Sequence, residues 1–93
     1  MATSTITKQM FTKQFTININ STSGGLTNKS WSDLGYSVPS GYEPISICLH
    51  GTNPSGYQWQ VIPLVSADFG VMIRNYYNMT NIPVTVNVTF AKV

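Results

Sequence analysis

Charge is the scarcest commodity in this sequence. Three carboxylates and five cationic side chains make up 9% of the chain, against roughly a quarter in an ordinary soluble domain. The cations Lys8, Lys13, Lys29, Arg74 and Lys92 are scattered, which leaves nucleic-acid binding without an electrostatic footing. There is a single cysteine, Cys48, so an internal disulfide is excluded and compactness must come from packing. With one histidine and one cysteine no zinc set can be assembled within a chain, although oxygen-ligand sites remain open; no metal or other cofactor is expected. No window approaches about 18 consecutive apolar residues. The opening MATSTITKQMFTKQF lacks the apolar run of a signal peptide. The expectation is a chain neither inserted in a membrane nor secreted by a classical leader.

What replaces charge is Thr, Ser, Asn and Gln, beside a 42% hydrophobic and 12% aromatic content. Neutral polar groups hydrogen-bond well and do not repel a neighbouring copy, so such a surface tolerates close assembly. The wealth of β-branched and aromatic residues argues against disorder. A chain of 93 residues holds one ordinary domain.

Strand periodicity runs through the sequence. In IPVTVNVTF, Ile82, Val84, Val86, Val88 and Phe90 alternate with polar residues, a spacing that puts all five on one face only in a strand. QFTININ repeats the pattern at Phe15, Ile17 and Ile19 before the turn cluster Ser-Thr-Ser-Gly-Gly. PISICLHG sets Ile45, Ile47 and Leu49 against Ser46, Cys48 and His50. YQWQVIPLV alternates Tyr57, Trp59 and Val61 with Gln58 and Gln60, and FGVMIRNYY sets Phe69, Val71 and Ile73 against Met72, Arg74 and Tyr76. The last three strands are expected to be consecutive antiparallel neighbours. The stretch from Gly25 to Gly41 is dense in turn formers and reads as a loop with room for one short strand. No stretch carries helical spacing for long. These readings predict an all-β fold: a small antiparallel β-sandwich, jelly-roll-like or barrel-like, of about six or seven short strands without substantial helix, spanning residues 1–93 as one domain.

Catalytic constellations are thin. Cys48 and His50 share a strand face but lack an orienting third group, and an ordinary buried thiol beside a surface or interface histidine explains them. Asp33, Glu43 and Asp68 fall in separate turn or strand-end positions, where Asx-type hydrogen bonds account for the two aspartates. The sequons at Asn20, Asn28, Asn78 and Asn87 are the chance yield of a chain rich in Asn, Ser and Thr. No catalytic residue is assigned, and the protein is expected not to be an enzyme.

The aromatics say more. Several sit in turns or at strand ends, where amphipathic rings pack against sugar faces while neighbouring amides and hydroxyls bond the sugar's own hydroxyls. Trp31, Tyr36 and Tyr57 are the candidate ligand-binding residues; Trp59 is expected in the core or an interface. Arg74 faces away from Val71 and Ile73 between Met72 and Tyr76. A two-layer sandwich of one short chain covers only one face of that strand. Met72, Arg74 and Tyr76 are therefore candidate oligomer-interface residues, joined by the C-terminal strand, with plain solvent exposure of Arg74 as the alternative.

The C-terminal half resembles a known family. GYEPISI at Gly41 to Ile47, QWQV at Gln58 to Val61, GVMIRNYYN at Gly70 to Asn78 and the closing VTVNVTFAKV together are similar to the C-terminal, receptor-binding domains of tailed-bacteriophage tail-fibre proteins. The resemblance implies a β-sandwich, a homotrimer, and attachment to a host cell-surface glycan or other receptor rather than chemistry. It also implies contact with other virion proteins and a place in the phage tail after synthesis in the bacterial cytoplasm. The sequence has no shaft, heptad run or capsid-anchoring region, so within this resemblance an excised tip or a separately encoded small phage or prophage protein is the expectation. The alternative is a free-standing bacterial carbohydrate-binding or adhesin module.

Overall fold

The computed structural model describes residues 9–54 and 56–93, apart from the side chain of Gln58. Lys8 thus lies outside the described residues. Six strands and one helical turn follow in order: β1 (Met10–Ser21), β2 (Leu26–Lys29), β3 (Tyr42–Leu49), α1 (Tyr57–Gln60), β4 (Val61–Ser66), β5 (Gly70–Asn75) and β6 (Met79–Lys92). They form two three-stranded antiparallel sheets, ordered β1-β6-β3 and β2-β5-β4. The chain changes sheet at every connection except the β4–β5 hairpin. The expected small antiparallel all-β architecture is what forms.

The alternation read from the sequence is what closes the two sheets on each other. Val84, Val86, Val88 and Phe90 of β6 are fully buried. Phe15 and Ile17 of β1 stand opposite Val86 and Val84 on the same face. Val61, Val71 and Ile73 supply the facing layer from the other sheet. At roughly 1.5–3 kcal/mol per fully buried aliphatic or aromatic side chain, this single layer of contacts is the main stabilising term.

Four expectations are corrected. First, β6 is not the neighbour of β5. The second ladder of β5 is taken by β2, while β6 occupies the centre of the other sheet between β1 and β3. The residue that turns the chain aside is Asn75. Its side chain is completely buried and Nδ2 donates to the carbonyls of Ser21 (3.1 Å), Thr22 (2.9 Å) and Tyr77 (2.8 Å). The end of β5 is thereby fastened to the β1–β2 turn and to the outgoing chain.

Second, Tyr57–Gln60 is a helical turn rather than the start of a strand. The Tyr57 N–H donates to the Pro54 carbonyl, and the Val61 N–H donates back to Tyr57. Trp59, which alternation would have placed with Val61, is 61% exposed and packs edge-on against Tyr77 at 5.1 Å. It does not enter the core.

Third, β3 carries a bulge. Pro44 pairs with Phe90 and Ser46 with Thr89, leaving Ile45 unpaired between them. The extra residue shifts the phase, so Tyr42 and Pro44 lean inward before it, Ile47 and Leu49 after it, and Ile45 is left exposed. Fourth, Cys48 is exposed, not buried. It lies in register with Asn87 and Gln14 on the outer face of a sheet whose outward positions are polar.

Candidate binding surfaces

The segment Ser30–Tyr36 is a closed local unit. The Ser30 N–H donates to Asp33 Oδ2 at 3.2 Å and the Asp33 N–H donates to Ser30 Oγ at 3.1 Å, a reciprocal cap on a single helical turn. The turn ends as a Schellman motif: Tyr36 N–H donates to Trp31 O, Gly35 N–H to Ser32 O, and Gly35 takes the left-handed conformation at φ +66°. Asp33 is thus the turn residue expected of it. Asp68 is not used in the same way; there Ser66 Oγ accepts the Asp68 N–H.

This turn places two of the three aromatic candidates together. Trp31 and Tyr36 are half-buried, 6.4 Å apart, and lean on Phe15 and Phe90. The Trp31 indole N–H donates to the Ala67 carbonyl at 3.2 Å. Burial pushes the Tyr36 phenol above its ordinary pKa of 10.0. Tyr57 is elsewhere. It precedes Val61 at the start of β4, whereas Ala67 follows the end of that strand, about 17 Å away at the usual rise. Tyr57 lines neither of the grooves beside Tyr36.

Two grooves flank Tyr36. The first, of about 530 Å³, runs beside six consecutive residues of β1, Lys13 to Asn18, and is walled on its far side by Lys29, Asp33, Leu34 and Tyr36. The second, of about 490 Å³, is bordered by Trp31, Tyr36, Ser37, Ser40, Tyr42 and Pro44 among others. The Tyr42 hydroxyl lies 2.9 Å from Gln9 Oε1 as donor.

The two outer sheet faces differ in kind. On the β1-β6-β3 face, Thr12 meets Thr89 (3.3 Å), Thr16 meets Thr85 (3.0 Å) and Asn18 meets Asn81 (3.3 Å), a ladder of neutral hydrogen-bonding groups. On the β2-β5-β4 face, Leu26, Arg74 and Ile62 share one row and Asn28, Met72 and Leu64 the next. Leu26, Ile62 and Leu64 are each nearly half exposed, as is Tyr76 just beyond. The interface candidates Met72, Arg74 and Tyr76 therefore lie on or beside one apolar sheet face. The C-terminal strand does not join them, because β6 sits in the opposite sheet and presents Thr85, Asn87 and Thr89 outward.

Cys48 is exposed on β3, and His50 lies just beyond the end of that strand. His50 Nδ1 accepts the Thr52 N–H at 3.1 Å and lies 2.8 Å from Thr52 Oγ1, so the ring is engaged by its own turn. Among the described residues there is no group of three or more His, Cys, Asp or Glu side chains able to hold a metal ion. Among the same residues, no helix is long and apolar enough to cross a membrane.

The residues that sequence reasoning missed are Asn53, Asn75, Lys13 and Lys29. Asn53 behaves as one more strand residue: Nδ2 donates to Thr85 O at 2.5 Å and Oδ1 accepts the Thr85 N–H at 2.9 Å. Comparison with family models, curated proteins and solved structures finds no match for this chain.

Proposed function

We propose that this chain is a non-enzymatic, self-associating attachment domain of the bacteriophage tail-fibre type, which binds a host bacterial surface receptor, most simply a glycan. The observation that carries the reading is the outer face of β2-β5-β4. Leu26, Ile62, Leu64 and Met72 surround a single guanidinium, and no carboxylate shares their rows. A contiguous apolar face with so little charge around it is a surface for another protein surface. A closed cyclic assembly covers it without leaving a growing edge, and the resemblance to trimeric fibre tips favours three copies.

The receptor site in this reading is the second groove, where the rings of Trp31, Tyr36 and Tyr42 stand beside the hydroxyls of Ser37 and Ser40. That pairing of apolar ring with short polar group suits a sugar. The grooves recur once per copy, so three-fold assembly multiplies a weak single contact. In the virion, the domain contacts neighbouring tail proteins. A free-standing bacterial carbohydrate-binding module would share the groove but not the need for assembly.

The test is binding of labelled protein to a panel of bacterial strains before and after periodate oxidation of the cell surface. Binding to a subset of strains, abolished by periodate and by a groove-filling Ser40→Trp, is the expected result. Absence of binding to every strain by a monomeric protein would overturn the proposal.

A further inference from the structure

Among the described residues, β1 pairs with β6 alone, so one edge of this 12-residue strand is an open ladder. The groove beside it follows that edge through Lys13 to Asn18, consecutive positions that point alternately inward and outward. Such a lining is contributed by backbone as well as side chains. Six residues of strand extend about 17 Å, the length of one short strand.

Two lysines mark this slot, and both stand where the fold calls for apolar residues. Lys13 lies in register with buried Val88 and Lys29 with buried Val71. Lys13 follows Phe11 and precedes Phe15 in the inward series of β1, and its Nζ lies 5.6 Å from the centre of the Tyr36 ring. Asp33, the one carboxylate bordering the groove, has Oδ2 engaged by the Ser30 N–H. Inward charges on an edge strand obstruct pairing with another copy of the same strand. β1 itself contains no acidic residue, so in two copies paired edge to edge neither strand offers the other's lysine a carboxylate.

We infer that the free edge of β1 is a docking slot for an extended acidic segment of another protein, added as a seventh strand between β1 and the Ser30–Tyr36 turn. The backbone of that segment completes the open ladder, and its inward carboxylates meet Lys13 and Lys29. The same lysines that exclude a second copy of β1 select this partner. The site is separate from the sugar groove and from the apolar sheet face, although Tyr36 borders both grooves.

A fluorescent nine-residue peptide of alternating valine and glutamate is the probe, read by anisotropy and by amide hydrogen exchange across residues 13–18. Saturable binding that protects these amides is expected. A peptide with lysine for glutamate, and one N-methylated along one backbone edge, should each bind about tenfold more weakly or worse. Lys13→Glu with Lys29→Glu should lower affinity for the glutamate peptide to a similar degree at an unchanged melting temperature, and restore binding of the lysine peptide. Equal binding of the N-methylated peptide would overturn the strand-addition geometry. Polygalacturonate competing as well as the peptide would assign the lysines to an acidic sugar instead, and absence of binding by the glutamate peptide would overturn the proposal outright.

Discussion

Replacing Asn75 probes the joint on which the topology turns. Its amide donates to three carbonyls, on Ser21, Thr22 and Tyr77, while its Oδ1 is buried without a partner. The amide has two hydrogens for three carbonyls, so one is shared, and Asn75→Ala removes the equivalent of two to three hydrogen bonds at about 1 kcal/mol each. Removal of the unpaired oxygen returns part of that cost, so a net loss of about 2 kcal/mol follows. The backbone bonds Gly24 N–H to Asn75 O and Asn75 N–H to Gly25 O remain in the variant, which confines the change to the side chain. For a domain of this size 1 kcal/mol moves the melting temperature by about 4–8 °C, so a fall of roughly 8–16 °C is expected. Asn75→Asp should be worse by at least another 2 kcal/mol or so, because it sets a carboxylate among carbonyl oxygens. Thermal unfolding followed by far-ultraviolet circular dichroism measures both. An Asn75→Ala variant within about 2 °C of wild type, or an Asp variant no worse than Ala, would refute the reasoning.

Gly70 has φ +97°, and a Cβ there would strike the Lys29 carbonyl oxygen and lie 2.9 Å from Ser30 Cα. Gly70→Ala should therefore cost about 2–4 kcal/mol in urea unfolding and loosen the turn that carries Trp31. On β6, Val86→Asp should abolish the cooperative transition while Asn87→Asp leaves it nearly intact; equal damage would mean that both faces of the strand are buried. Cys48→Ser should leave cell binding and melting temperature unchanged, and a loss of binding with intact fold would reopen a role for the thiol. Because burial raises the Tyr36 pKa above its unfolded value, the stability this phenol contributes is fully present below about pH 10 and lost as pH rises through the folded value. Tyr36→Phe should remove this raised component from the tyrosinate absorbance titration, and an unchanged curve at high pH would refute the assignment.

How far the sequence was legible depends on how local the deciding contacts are. The five-residue alternation from Ile82 to Phe90 needed no tertiary information, and it became the central core strand. The same rule misled at Tyr57–Gln60, where the alternation of Tyr57 and Trp59 with Val61 looked like a strand. There the chain instead closed a helical turn after Pro54 and sent Trp59 to the surface. The bulge at Ile45 is a one-residue offset that only the register with β6 reveals. Strand order was hidden for the same reason: Asn75 reads as an ordinary polar residue until its amide is seen to bind carbonyls more than fifty positions away. Of the candidate surfaces, the aromatic turn and the two-faced strand around Arg74 were visible from residue type. Lys13 was visible in principle, as the charged member of the inward series Phe11, Lys13, Phe15, Ile17 and Ile19. Lys29 gains meaning only from its position against β1.

Sedimentation equilibrium at micromolar concentration, on the wild type and on Leu64→Glu, tests most directly whether the β2-β5-β4 face assembles the protein. Leu64 is exposed in register with Met72, so a carboxylate there disturbs the face without entering the core. The expected result is a trimeric wild type and a monomeric, normally folded Leu64→Glu. A monomeric wild type, or a trimer that withstands the substitution, would contradict the account.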